Sequence, residues 1–123
     1  MLGLDLGTSS VKAMLADSRG TVLSSASRPY PIESPIPGWC EQDPAVWWRS
    51  VKEAVHELLS KTGVNGDSVS SLCVSGQMHG MVLLNGSGEV LRPAIIWSDN
   101  RSRGQRVQIE NALGVEALIE IAG

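Results

Sequence analysis

Leucine alternates with glycine or aspartate through Leu2-Gly3-Leu4-Asp5-Leu6, the period-two pattern of a strand with one apolar face and one face bearing a carboxylate. Asp5 falls near the end of this strand. Gly7-Thr8-Ser9-Ser10 reads as a loop, Val11 to Ala16 as a second strand, and Asp17-Ser18-Arg19-Gly20 as a turn into a third over residues 21–27. Links this short predict an antiparallel meander. The stretch Arg28 to Gly38 holds Pro29, Pro31, Pro35 and Pro37, which predicts an extended surface connection and no regular element.

Asp43-Pro44 pairs an N-cap residue with a first-turn proline. Trp48, Val51, Val55, Leu58 and Leu59 then recur at helical spacing until Lys61 and Gly63 close the segment. His56 falls on the polar side of that helix beside Lys52, Glu53 and Glu57, as a solvated residue. Residues 70–75 alternate small polar residues with Leu72 and Val74, predicting a buried strand that runs into Gly76-Gln77-Met78-His79-Gly80. A hairpin is expected over residues 81–91, and an apolar strand over 93–97 delivers Ser98, Asp99, Asn100 and Arg101 at its end. Residues 101–113 and 115–122 carry helical patterns separated by Gly114. These elements predict an α/β chain with no internal repeat, and its last helical pattern runs to the end of the sequence.

The 123 residues are 42% hydrophobic and 19% charged, which excludes collagen-like, coiled-coil and disordered classes. Ten Lys and Arg against thirteen Asp and Glu give a net charge of −3, the wrong sign for a chain whose task is neutralising nucleic-acid phosphates, so no nucleic-acid partner is expected. Cys40 and Cys73 sit in no CxxC or Cys/His cluster; reduced thiols are expected, Cys73 in the core. No basic segment leads into an apolar run at the start, and no run approaches the ~20 residues of a membrane span. A cytoplasmic protein without a membrane partner is the expectation.

Two clusters carry candidate chemistry. In Asp5-Leu6-Gly7-Thr8-Ser9-Ser10, followed by Lys12, a tight glycine turn presents backbone N–H groups and hydroxyls together, the chemistry of a phosphate cradle. A carboxylate just before it suits a hydrated Mg²⁺, which binds through one or two carboxylates while keeping waters. The alternative is a plain hairpin with a Gly/Ser turn. No GxxxxGK[ST] and no GxGxxG competes for the role. The second cluster is the convergence of Gln77-Met78-His79-Gly80 with Trp97-Ser98-Asp99-Asn100-Arg101 at two strand ends. Such a mouth suits a polyol, an aromatic face covering C–H groups while polar side chains meet hydroxyls. The bland alternatives are a structural histidine, a core tryptophan, an N-cap at Asp99 and a surface Arg101.

GLDLGTSSVKAML, GWCEQDPAVWW, SGQMHGMVLL and RPAIIWSDNRS, in that order, resemble the N-terminal part of the FGGY carbohydrate kinases, most closely their xylulokinase branch. The resemblance spans nearly the whole chain, and Gln-Met-His-Gly is the segment that points to that branch. It implies a ribonuclease-H-like fold of the actin and hexokinase ATPase type, a mixed sheet with flanking helices. Residues 1–123 would be a partial N-terminal domain, the rest of that domain and a second domain lying outside them. It implies ATP and Mg²⁺ as cofactors and a small sugar as substrate, D-xylulose phosphorylated to D-xylulose 5-phosphate, with room for a homodimer of the full-length protein.

By motif, Asp5 belongs to the Mg²⁺ and phosphate site, Gly7, Thr8 and Ser9 to the phosphate cradle, and Lys12 to the nucleotide phosphates. Gln77, Met78 and His79 would bind the sugar, with Trp97 and Asp99 shaping its pocket. GWCEQDP is expected to be chiefly a helix entry. The family's base is an aspartate further along the chain, so these 123 residues alone are expected to be inactive. The competing expectations are a kinase for another sugar or polyol such as gluconate, a sugar-binding module without turnover, and an actin-like filament protein.

Overall fold

A computed structural model describes residues 1–122; Gly123, the last residue of the expected domain span, lies outside the described residues. Strands β1 (Leu2–Leu6), β2 (Ser10–Ala16) and β3 (Val22–Pro29) form the expected antiparallel meander. Two further residues paired as β4 (Glu41–Gln42) precede α1 (Pro44–Thr62), which leads back to β5 (Leu72–Gly76), parallel to β1. The sheet is therefore mixed, in the order β3-β2-β1-β5. β6 (Ala94–Ile95) pairs with β4 in a separate two-stranded ladder, and α2 (Arg103–Leu113) and α3 (Val115–Ala122) end the described chain.

The sheet alternates as its sequence demands. Val11, Ala13 and Leu15 of β2 are buried on one face, with Leu2, Leu4 and Leu6 of β1 packed against them, while Lys12 and Met14 point the other way. Helix α1 covers the buried face. The Asp43 side chain accepts the Ala45 N–H at 2.9 Å, Pro44 opens the first turn, and Gly63 closes the helix at φ 67°, a conformation that costs a residue with a Cβ more than glycine. Ser50, Ala54 and Leu58 form its buried stripe, with Trp47 and Val51 beside it.

Several expectations need correction. Trp48 is 63% exposed, and with Val55 and Leu59 it lines an open groove beside Leu2, Leu4 and Leu72. The cause is that α1 packs over β2 and β3, so the helix flank toward β5 has nothing above it. The strand β5 is not buried, because it is the edge of the sheet: Leu72 and Val74 are about 60% exposed and Cys73 is exposed as well.

The proline-rich stretch is the expected exposed connection over residues 31–38, while its first residues belong to the fold. β3 runs on to Pro29, Tyr30 is buried in the core, and Glu33 bridges to Glu41. Proline is tolerated here because it sits at the end of an outer strand. The residues between 81 and 97 make a hairpin only in outline. Leu84 bridges Val90, Met81 bridges Ile95, and the expected strand over 93–97 shrinks to two residues. Among the described residues no helix is long and apolar enough to cross a membrane.

Candidate active site

The β1–β2 turn is held from behind by its carbonyls. Tyr30 Oη donates to Gly7 O, Gln42 Nε2 donates to Thr8 O at 2.7 Å, and the Tyr30 N–H donates to Ser9 O at 3.0 Å. The Gly7 N–H closes the turn onto Ser10 O at 3.1 Å, and a Cβ on residue 7 would lie 3.1 Å from that same oxygen. The N–H groups of Thr8 and Ser9 donate to no acceptor among the described residues. Tethered carbonyls and two unused N–H groups leave donors free to meet an anion. Burial pushes the Tyr30 phenol up, and the charge of Asp5 adds to the effect.

Asp5 and Lys12 are Cα partners across β1 and β2, and Ser75 of β5 is the Cα partner of Asp5 on the other side. All three fall on the sheet face that α1 leaves open, where they line one shallow hollow with Met14 and Cys73. The structure thus brings the expected carboxylate and ammonium to one surface beside the turn. A single carboxylate is a donor set for a largely hydrated Mg²⁺ and not for a caged cation. Among the described residues there is no cluster of three or more His, Cys, Asp or Glu that could hold a metal on its own.

β5 delivers the Gln77-Met78-His79 segment next to this turn, because β5 runs parallel to β1 and the two strands end together, Leu6 opposite Gly76. The Gln77 N–H donates to Leu6 O at 2.9 Å. His79 adopts φ 59°, the one positive φ of a non-glycine residue among those described. Histidine visits this region more readily than most residues, yet it remains sparsely populated, and such geometry collects at functional sites. Gln77 and His79 line a cavity of about 340 Å³ together with Leu6, Trp47 and Ile96, and Met78 is 71% exposed at its side.

Trp97 joins the two clusters. Its indole N–H donates to Thr8 Oγ1 at 2.9 Å across 89 residues of sequence, and the ring is more than half exposed. The ring lies outside the core, beside the β1–β2 turn. Asp99 meets the Cys40 backbone and Arg101. One carboxylate oxygen accepts from the Cys40 N–H at 2.7 Å and from Arg101, the other from the Arg101 N–H and Nε at 2.9 Å. Asp99 lines a separate hollow with Asn100, Ser102, Arg103 and Arg106.

The Arg101 guanidinium continues to Glu41 at 2.6 Å and stacks 3.7 Å over the Trp39 ring, and Arg92 also pairs with Glu41. The bidentate Arg101 beside Asp99, helped by backbone N–H groups, holds that carboxyl well below the usual carboxylate range. Asp99 and Arg101 therefore clamp the loop that carries Trp97. Tyr30, Glu41 and Gln42 were not singled out by pattern: a two-residue strand has no periodicity, and nothing in Glu41-Gln42 read alone signals burial. For Glu41 and Gln42 the signal was their place inside GWCEQDP, among the other ordered motifs; Tyr30 lies outside that motif and carried none.

Comparison with known proteins places the chain in a family. The model of the FGGY family of carbohydrate kinases, N-terminal domain, matches residues 1–123. The xylulose kinase of Staphylococcus epidermidis strain RP62A is 40% identical over 114 residues, which is 93% of this chain and 23% of that protein. The crystal structure of xylulose kinase from Rhodospirillum rubrum superposes with a TM-score of 0.87 at 39% identity, over 96% of this chain and 24% of that one. The gluconate kinase structure from Lactobacillus acidophilus gives a TM-score of 0.88 at 28% identity, over 97% of this chain and 24% of that one. The chain thus spans about a quarter of the length of these relatives. With family model, motif order and sheet topology agreeing over the same residues, the chain belongs to the FGGY family of carbohydrate kinases, whose N-terminal domain it matches.

Proposed function

We propose that this chain is the phosphate-turn and sugar-facing portion of an ATP-dependent sugar kinase that converts D-xylulose to D-xylulose 5-phosphate. The observation that carries the reading is the position of Thr8. Its residue lies in the turn with spare amides, and its hydroxyl holds Trp97, so one residue belongs to both the anion cradle and the wall of the polar mouth. Phosphoryl transfer needs donor and acceptor held in line with charge neutralised, and a shared residue ties the two subsites together.

In this reading the free N–H groups of Thr8 and Ser9 donate to phosphate oxygens, Gly7 gives the turn its close approach, and Lys12 adds positive charge. Asp5 would hold a hydrated Mg²⁺, which supplies charge neutralisation at the phosphates when bound. Gln77, Met78 and His79 contact the ketose. Gln77 Oε1 is buried without a hydrogen-bond partner, an acceptor suited to a sugar hydroxyl. Trp97 covers the C–H side of the sugar, and Asp99 shapes the pocket through the loop it clamps. The catalytic base belongs to the remainder of the longer protein, so the isolated chain turns over no sugar. The reading carries with it a cytoplasmic setting, where ATP is the phosphoryl donor.

A gluconate kinase is the second reading, favoured by the likeness to the Lactobacillus acidophilus structure of that name. The test is a coupled ADP-release assay of the longer protein with D-xylulose, D-gluconate and glycerol. D-xylulose is expected to give the highest kcat/KM, and Asp5→Ala to lower kcat by about a hundredfold or more. Turnover of gluconate and not D-xylulose would replace the first reading with the second. Sugar binding by the 123-residue chain in calorimetry, with no turnover by the longer protein, would favour a non-catalytic sugar-binding module.

A further inference from the structure

Gln42 is 2% exposed, and its amide touches four separate parts of the chain. Nε2 donates to Thr8 O at 2.7 Å and to Pro31 O at 3.1 Å; Oε1 accepts from Trp47 Nε1 at 3.0 Å and from Gln77 Nε2 at 2.9 Å. The orientation of the amide is dictated by its neighbours. An indole N–H only donates, so the atom facing Trp47 must be the oxygen, and the nitrogen must face the two carbonyls. Every donor and acceptor of the group is thereby used.

Two consequences follow for the site. The Thr8–Ser9 peptide is trans, so pulling Thr8 O inward toward Gln42 points the Ser9 N–H outward, to the anion side of the turn. At the other end, Gln42 Oε1 demands a donor from Gln77. That fixes the Gln77 amide with Nε2 inward and leaves Gln77 Oε1 as the unpaired acceptor. One buried amide thus sets both the direction of a cradle N–H and which atom of the Gln77 amide is left without a partner.

We propose that Gln42 is a positioning residue that couples the phosphate turn to the Gln77–His79 segment. It would make the geometry of the phosphoryl donor subsite and of the sugar subsite rise and fall together. This deepens the kinase reading above and rests on it for its catalytic meaning, while the mechanical coupling stands on the hydrogen bonds alone.

Two substitutions cut the hub on opposite sides. Gln42→Glu keeps acceptors for Trp47 and Gln77 but has no N–H for Thr8 O and Pro31 O. Gln77→Met, at a half-buried position, removes only the Gln77 link. In ¹⁵N-labelled chain, Gln42→Glu is expected to shift the Ser9 amide and the Trp97 indole resonance and to leave the indole of Trp48, on the far flank of α1, in place. Gln77→Met is expected to shift the Trp47 indole and, through Gln42, the Ser9 amide; it decides the outcome alone if Gln42→Glu does not fold. Folded spectra with Ser9 and Trp97 unmoved would overturn the proposal.

In the longer protein, Gln42→Glu is expected to lower kcat/KM for both ATP and sugar by about tenfold or more, the size expected when a buried acceptor loses its donor. Val51→Ala serves as the stability control. Equal kinetic losses in Gln42→Glu and in this control at matched loss of Tm would reduce Gln42 to a structural residue and overturn the proposal. If the longer protein phosphorylates no sugar, the kinase reading fails while the resonance shifts still decide the coupling.

Discussion

Residues 1–62 and residues 70–122 are held in place by different forces. The first region owns the core: Val11, Ala13, Leu15, Ala26, Tyr30, Ala54 and Leu58 are buried between the meander and α1. In the second, Ala94 and Ile96 are the buried hydrophobic residues among those described, and β5 is exposed along its length. What ties it to the first region is largely polar. β5 pairs with β1 through backbone bonds, Gln77 meets Gln42, Trp97 meets Thr8, and Asp99 with Arg101 grips Cys40 and Glu41. Apolar burial stabilises without fixing direction, whereas hydrogen bonds and bidentate ion pairs fix direction. The candidate site lies on the seam, where direction matters.

The largest expected effect comes from breaking the apolar side. Leu58→Ala should destabilise the chain by about 2–5 kcal/mol, since a large fully buried side chain leaves a cavity under the sheet. Circular dichroism and Trp fluorescence during urea unfolding should move together. If the signal of Trp97 outlived that of α1, the second region would have a stability of its own and the contrast would collapse.

A smaller and more local effect is expected from the polar side. Asp99→Ala leaves the Cys40 and Arg101 N–H groups without their acceptor, at a cost of about 1–3 kcal/mol. Hydrogen exchange should speed up at those two amides and leave the β2 amides protected. Equal loss of protection in β2 would show that the clamp and the core are one unit. Acid tests the same clamp without mutation. Arg101, then the backbone N–H groups, depress the folded-state value of Asp99. Its contribution is therefore fully present above the ordinary aspartate value, near about pH 4, and is lost only as pH falls from there through the depressed value. The Arg101 and Cys40 amides of the wild type should stay protected through mild acid and lose protection ahead of β2 in strong acid.

The smallest expected change sharpens the contrast from the helix end. Asp43→Ala removes the cap of α1 and should cost about 1 kcal/mol. Because Gln42 is the adjacent residue, the Trp97 indole resonance reports whether the cap also steadies the hub. Loss of helix stability with Trp97 unmoved would keep the two functions of this short segment separate.

Much of the first region is legible in the residues themselves. Alternation in Leu2 to Leu6 and Val11 to Ala16 yields strands with the expected bounds to within a residue, and Asp43, Pro44 and Gly63 mark the ends of α1 where the structure has them. The second region misleads pattern reading. Val74 and Leu72 look like core because alternation reports which side chains share a face, and says nothing of whether anything covers that face. The same holds for Trp48, whose helical spacing is right and whose flank of α1 is open. The site was legible in part. Asp5, Gly7, Thr8, Ser9 and Lys12 are neighbours in sequence, so a turn suffices to gather them, and Gln77 and His79 reach them through one strand pair.

Short-range order, namely the meander, the capped helix and the glycine turn beside a carboxylate, was thus determined by the sequence alone, because each depends on residues within one element or one turn. The tertiary structure decided which polar groups meet. Thr8 lies 34 residues from Gln42 and 89 from Trp97, and Glu41 lies 60 from Arg101. A buried amide or carboxylate is stable only when partners from distant segments satisfy it together, and no local pattern of hydrophobic and polar positions encodes such a partnership.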